Sequence, residues 1–279
     1  MTAMAPDGFR SALVLGGGGP VGISWMAGLV TGLRAAGVDP ARADRFVGTS
    51  AGAVVGTVLA GGGEIAGLLR PPSEDVAPVR AEVSQMSAIL ATVAAENLSP
   101  AQARRRVGEL ALEARVGDPA EHVARIAALI GRTDWPAGDL IVTSVDVATG
   151  ELRAWTAAGE ATVAQAVAAS TAVPGVFPPI PIGDGHYIDG GMRSPVNADL
   201  AAGAEVVVIA EPLAHMFPRT RADAELGSAA TISIVPDTQA IAAFGPDVFA
   251  RAALVPAYEA GVRQAAEAAI ALGELWPAA

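Results

Sequence analysis

The chain has 279 residues, a mass of 27.9 kDa and 52% hydrophobic residues, enough to bury a sizeable core in one α/β domain. Its net charge is −11, it has no cysteine and only three histidines, and all 18 basic residues are arginine. This excludes disulfides, thiolate catalysis and any lysine chemistry, and argues against a metal site, a nucleic-acid partner or electrostatic docking to anionic lipid.

Aromatic residues make up only 4%, and much of the apolar count is alanine, a good helix former. The mean hydropathy of +0.42 therefore predicts many close-packed helices rather than a membrane protein. No uninterrupted apolar stretch approaches the roughly 18 to 20 residues of a spanning helix. The first ten residues show neither a basic leader nor an apolar core, so a cytoplasmic location is expected, with peripheral contact at a membrane as the variant.

In chain order, Ser11–Leu15 reads as a strand and Ile23–Ala36 as a helix that stops at Gly37. Asp44–Val47 is a second short strand, and Ala51–Leu59 a helix leaving a glycine turn. Pro71, Pro72 and Pro78 mark a break, followed by helices at about 81–96, 100–116 and 119–131. Strand character resumes at Leu140–Val147, with Leu152–Thr156 as hairpin partner. A helix at Val163–Ala169 leads into the proline-rich stretch Val173–Pro181, and His186–Ile188 forms a brief strand before Asp189-Gly190-Gly191. Glu205–Ala210 and Thr231–Val235 read as strands flanking a surface loop at Pro212–Ser228. Residues 247–273 close the chain as helix, interrupted at Pro256. Strands alternating with helices predict a mostly parallel sheet covered on both faces. The whole chain is expected to form one domain, with a helical insert at about 70–132 and C-terminal helices at about 247–273.

Chemistry concentrates in a few places. Gly48-Thr49-Ser50-Ala51-Gly52 has the G-x-S-x-G spacing between a strand and a helix that exposes a serine nucleophile. An ordinary Gly-Ser turn capping a helix is the plain alternative. The run Gly16–Gly22 stacks backbone amides at a helix N-terminus, where developing negative charge is stabilised. The same run satisfies G-x-G-x-x-G, with Asp39 and Asp44 about 20 residues on, so a dinucleotide-binding oxidoreductase is a rival. The serine turn after the next strand separates the two, because a dinucleotide site has no need of it.

Asp189 supplies a base for Ser50, although Asp-Gly is also a common turn dipeptide. A carboxylate of ordinary pKa, about 3.9, matches a serine hydroxyl poorly, so burial must make it more basic. Histidine offers less. His215 lies in the irregular 212–228 loop and is expected in solvent, His186 points away from Asp189, and His122 is expected on the surface of the inserted helices. The basic run Arg104-Arg105-Arg106 is expected on an outer helix face among Glu109 and Glu113, with a membrane-contact patch as the alternative.

Together these residues resemble the patatin-like phospholipase family. The resemblance rests on the loop Gly16–Gly22, the turn Gly48–Gly52, the stretch Ala169-Ser170-Thr171-Ala172-Val173-Pro174-Gly175-Val176-Phe177-Pro178-Pro179, and Asp189-Gly190-Gly191, in the family's order over residues 11–240. It implies a three-layer α/β/α sandwich and a serine-dependent lipid acyl hydrolase. Ser50 would be nucleophile and Asp189 base, with the amides of Gly17, Gly18, Gly19 and Ala51 as oxyanion donors. It implies a lipid or acyl-ester substrate, transient contact with a membrane surface, and no metal or organic cofactor. The family loop carries a basic residue where this chain has Val21. That departure makes a catalytically silent lipid-binding protein the alternative on the same scaffold.

Overall fold

Alternation along the strands decides which side chains face which layer. In β1 (Ser11–Leu15), Leu13 and Leu15 join one core while Ala12 and Val14 join another, as side chains on successive strand residues point to opposite faces. In β7 (Val206–Ala210), Val208 and Ala210 divide from Val207 and Ile209 in the same way. A strand apolar on both faces must be covered on both, which is the condition of a parallel sheet. The computed structural model describes residues 9–69, 83–273 and 275–276, and the expected proline break at 71–78 lies outside them.

Among the described residues, eight strands form one sheet. The central strands β2 (Arg45–Thr49), β1, β7 and β8 (Ala230–Ile234) are parallel, and β2 also pairs in parallel with β3 (Asp139–Asp146). The strands β4 (Leu152–Trp155) and β6 (Gly185–Asp189) run antiparallel to β3, and β5 (Ile180–Ile182) antiparallel to β6. The larger core packs α1 (Gly19–Ala35), α2 (Ala51–Ala60), α5 (Pro119–Ile130), α6 (Val163–Ser170) and α8 (Leu254–Leu272) against one face. The opposite face is covered by Val196, by Ala198 and Ala201 of a short 3₁₀ helix, and by Leu226. A third cluster sets α3 (Val83–Ala94) and α4 (Pro100–Glu113) on Val145, Val147 and Ile188. The expected α/β class and mostly parallel sheet are present.

Local signals explain most boundaries. Thr162 and Gln165 form a capping box at the start of α6, and Asp118 caps α5 by accepting from the Ala120 amide at 2.7 Å. One expectation needs correction. The C-terminal helix is not interrupted at Pro256: α8 starts at Leu254, so the proline falls in its first turn, where a missing N–H costs nothing. A further helix, α7 (Thr238–Phe244), capped by Asp237, follows β8.

The arginine run on α4 is neutralised locally. Arg104 donates to the Gly150 carbonyl and lies near Glu151, Arg105 pairs with Glu109, and Arg106 with Glu96 and Glu109. This is the ion-paired outer face rather than a free cationic patch. Among the described residues, no helix is long and apolar enough to cross a membrane.

Candidate active site

Strand registers bring Ser50 and Asp189 together. Val142 and Thr143 of β3 pair with both β2 and β4, so those two strands lie on opposite edges of β3. Ser144 and Val145 pair with both β4 and β6, which puts β6 on the edge that β2 occupies. That edge is therefore shared end to end. Thr49, the last residue of β2, pairs with Thr143, and Asp189, the last of β6, pairs with Ser144. The strands run in opposite directions and meet head-on, delivering the residues that follow Thr49 and end β6 to one point.

At that point the chain bends sharply. Ser50 adopts φ 53° and ψ −116°, a conformation that costs a non-glycine residue on the order of 1–3 kcal/mol. Gly52 lets the new helix sit against β1: a Cβ there would lie 1.9 Å from the Leu15 carbonyl oxygen. One turn of chain holds both partners. Ser170 Oγ accepts from the Ser50 amide at 2.8 Å, and the Ala172 carbonyl accepts from the Asp189 amide at 3.1 Å. The Ala169–Pro179 stretch thus has a physical role that its sequence alone does not disclose.

Asp189 is 3% exposed, and burial pushes its carboxyl up to about 7, while the neighbouring Ser50 side chain and the Gly191 amide, which donates to Oδ1 at 2.7 Å, pull it back. The carboxyl is thus as basic as the sequence argument required.

The glycine loop is only partly available. The Gly17 amide donates to the Pro195 carbonyl at 2.8 Å, so it is not a free donor, contrary to expectation. The amides of Gly18, Gly19 and Ala51 are free of such loop contacts among the described residues, and all three residues line the cavity with Ser50. Gly19 takes φ 59°, a turn that glycine adopts without penalty. Val21 is fully buried in the core and does not line the cavity.

That cavity, of about 1780 Å³, is lined mainly by apolar side chains and holds Ser50 and Asp189 in its wall. His122 is also in the wall, and only 3% exposed, which corrects its expected surface position. Its ring stacks on Phe177 (centroids 4.3 Å apart), and its Nε2 lies 3.0 Å from Thr171 Oγ1. Burial, with the Arg125 charge, lowers its pKa to about 4, so the imidazole is neutral. His186 and His215 are exposed, and neither lines the cavity. Sequence reasoning missed Asn197, a fully buried residue at φ 51° whose Nδ2 donates to Thr49 Oγ1, the Gly190 carbonyl and the Ser194 carbonyl at 3.1, 3.2 and 3.0 Å. No motif marks it.

The dinucleotide reading loses its acids. Asp44 accepts from the Ser11 amide and hydroxyl, and Asp39 pairs with Arg34 and caps a short turn. Among the described residues, no cluster of metal-ligating side chains is present.

The fold and this junction define an α/β protein with a serine at a strained strand-to-helix elbow beside a buried carboxyl. Residues 13–202 match the family model for patatin-like phospholipase, and the chain belongs to that family. Among solved structures it is similar to VipD from Legionella pneumophila, at 15% identity and a TM-score of 0.43, over 96% of this chain and 67% of that one. It is also similar to the type III effector protein ExoU, at 16% identity and a TM-score of 0.38, over 96% of this chain and 54% of that one. The chain thus spans about two thirds of the first and about half of the second. A search of curated proteins returns no match.

Proposed function

We propose that the chain is a serine-dependent lipid acyl hydrolase of phospholipase A or esterase type. Ser50 Oγ attacks the ester carbonyl carbon as Asp189 takes its proton, and the amides of Gly18, Gly19 and Ala51 receive the oxyanion. Asp189 returns the proton to the leaving alkoxide, leaving the acyl group on Ser50. It then takes a proton from water, whose oxygen attacks the acyl carbon, and gives it back to Ser50 as the carboxylic acid departs. The observation that carries this reading is the pairing of a strained, cavity-lining Ser50 with a carboxyl that burial has made basic.

An acyl substrate fits the apolar lining. The exposed Leu90, Met216, Phe217 and Val255 also line the cavity, which supports contact with a lipid surface through apolar rather than charge attraction. In a chain of net charge −11, that is the route left open.

A fluorophosphonate probe is expected to label wild type at Ser50 and to leave Ser50→Ala unlabelled. Hydrolysis of short acyl esters should fall about 10³-fold or more in the same variant. Full esterase activity in Ser50→Ala would refute the mechanism. An unlabelled but lipid-binding wild type would establish the silent-scaffold reading.

A further inference from the structure

The turn that carries Gly18 and Gly19 cannot hold itself in place. Neither residue has a side chain to pack, and the amides of both are free of loop contacts among the described residues. Amides stabilise a developing charge only if they are already aimed at it, so the turn must be fixed from outside. Two residues cover it. On one side, the Val248 carbonyl accepts from the Val21 amide at 3.1 Å, and a Cβ on Gly19 would lie 2.9 Å from that oxygen. On the other is Pro212: a Cβ on Gly18 would lie 2.8 Å from Pro212 Cβ, and a Cβ on Gly22 would lie 3.2 Å from it.

Pro212 stands at the neck of a loop, and an ion pair closes that neck. Glu211 directly follows β7, and its amide donates to the Ile234 carbonyl at the end of β8 at 2.9 Å. Eight residues on, Arg219 meets its carboxylate with two donors, Nε to Oε2 at 2.8 Å and Nη2 to Oε1. Arg219 Nη2 also donates to Ser233 Oγ of β8. At 8% exposure, the Glu211 side chain is the most buried carboxylate of any ion pair among the described residues. Surface pairs contribute little, whereas a buried, forked pair fixes the geometry of both partners.

The chain is ordered on both sides of this closure. Inside the loop, the Ala214 amide donates to the Glu211 carbonyl at 3.2 Å, and the Met216 and Phe217 amides to the Leu213 carbonyl at 2.9 Å. Just beyond it, the Thr220 amide and hydroxyl donate to Asp223 Oδ2 at 2.7 and 2.8 Å. Leu213, Met216, Phe217 and Pro218 line the cavity. One loop thus braces the glycine turn with its second residue and walls the cavity with those that follow.

We propose that Glu211 and Arg219 are a positioning pair for the oxyanion turn. By closing the neck of the 211–219 loop they keep the Pro212 ring against Gly18 and Gly22, and so keep the amides of Gly18 and Gly19 on the substrate's carbonyl oxygen. The proposal rests on the acyl-hydrolase reading and deepens it. Proline suits the task, because its ring locks φ and cannot swing away from the surface it covers. The pair touches no substrate, so its loss should act on the rate of the chemical step and not on substrate binding.

The test measures kcat and KM on a short-chain acyl ester, and inhibition by the trifluoromethyl ketone with the same acyl chain. Ser50 Oγ adds to the carbonyl carbon of that ketone, and the resulting oxyanion occupies the same turn. Wild type is compared with Pro212→Gly, Arg219→Gln, Arg219→Lys and the double variant Pro212→Gly/Arg219→Gln, with thermal melts to confirm folding. Pro212→Gly and Arg219→Gln should each lower kcat about 10- to 100-fold with little change in KM, the effect of moving a donor by about 1 Å. Each should weaken the ketone by a similar factor. Arg219→Lys keeps the charge but not the fork, and should fall between Arg219→Gln and wild type. Because both positions act through one contact, the double variant should be no slower than the slower single variant. Losses that multiply in the double variant would overturn the proposal, as would a loss confined to KM or a folded Arg219→Gln of unchanged kcat. If Arg219→Gln does not fold, Pro212→Gly decides, and wild-type kcat there ends the proposal. Should wild type hydrolyse no ester, the hydrolase reading fails, and amide hydrogen exchange over residues 16–22 still reads the brace. Faster exchange in Pro212→Gly would keep the assignment of the loop, and unchanged exchange would end it.

Discussion

Replacing Asp189 with asparagine is expected to lower acyl-ester hydrolysis about 10³-fold or more while making the folded protein harder to unfold above pH 7. Loss of a general base typically costs about 10²–10⁴ in rate, and here the same group serves both half-reactions. The gain in stability has the opposite logic. The buried carboxyl of Asp189 titrates at about 7 in the folded chain, against about 3.9 when unfolded. Between these values the folded state holds a proton that the unfolded state has released. Stability therefore falls as pH rises across the window, reaching its full cost above pH 7, at most about 4 kcal/mol. Asparagine keeps the shape and the acceptor for the Gly191 amide but carries no charge. Its advantage over wild type should be near zero at pH 4 and should grow until about pH 8, as read from denaturant unfolding. Wild-type kcat/KM should rise tenfold per pH step and level off above about 7. An Asp189→Asn variant as active as wild type would remove this residue from the reaction.

His122 works against Asp189 in the same pH range. Its folded value of about 4 lies below the ordinary histidine value, so between the two the unfolded state carries the extra proton. Stability from this group is present above the ordinary value and is lost as pH falls towards 4. In wild type the two slopes offset each other over much of that interval. Asp189→Asn should expose the histidine slope alone, and its unfolding free energy should drop on acidification from about pH 6.5 to pH 4.

Much of the architecture is legible because it depends on local pattern. Apolar runs ending in glycine give β1 and β2, and helical spacing gives α1 and α2, to within a few residues. Ser50 and Asp189 were identifiable because their turns have unusual spacing. Their approach was not, because it depends on β6 running antiparallel into the end of β2 along one edge of β3, a pairing between distant segments. For the same reason the Gly17 amide looked free: its acceptor, Pro195, is far along the chain. His122 was misplaced because helical periodicity marks a face without saying whether that face meets solvent or a cavity. The buried Ser170 hydroxyl lay inside a quoted motif, yet its task as acceptor for the Ser50 amide emerges only from the folded turn.

Asn197 joins the two converging segments, and Asn197→Ala is expected to destabilise the protein by about 3–5 kcal/mol and to lower kcat about tenfold or more with little change in KM. The side chain is fully buried. Its amide donates to the end of β2 through Thr49 and to the segment after Asp189 through Gly190, while its Oδ1 accepts from Arg193 at 2.8 Å. Truncation leaves several buried groups unmet, each costing about 1–3 kcal/mol, and alanine at φ 51° adds about 1–2 kcal/mol of backbone strain. Glycine at this position separates the two causes, since it accepts the dihedral but restores no hydrogen bond. If the clamp is what matters, Asn197→Gly should be nearly as unstable as Asn197→Ala in urea, and as slow in turnover when assayed where both remain folded. Recovery of wild-type stability and rate by glycine would assign the whole effect to the dihedral. The alignment of Ser50 with Asp189 would then depend on the strand registers and the Ser170–Ala172 turn alone.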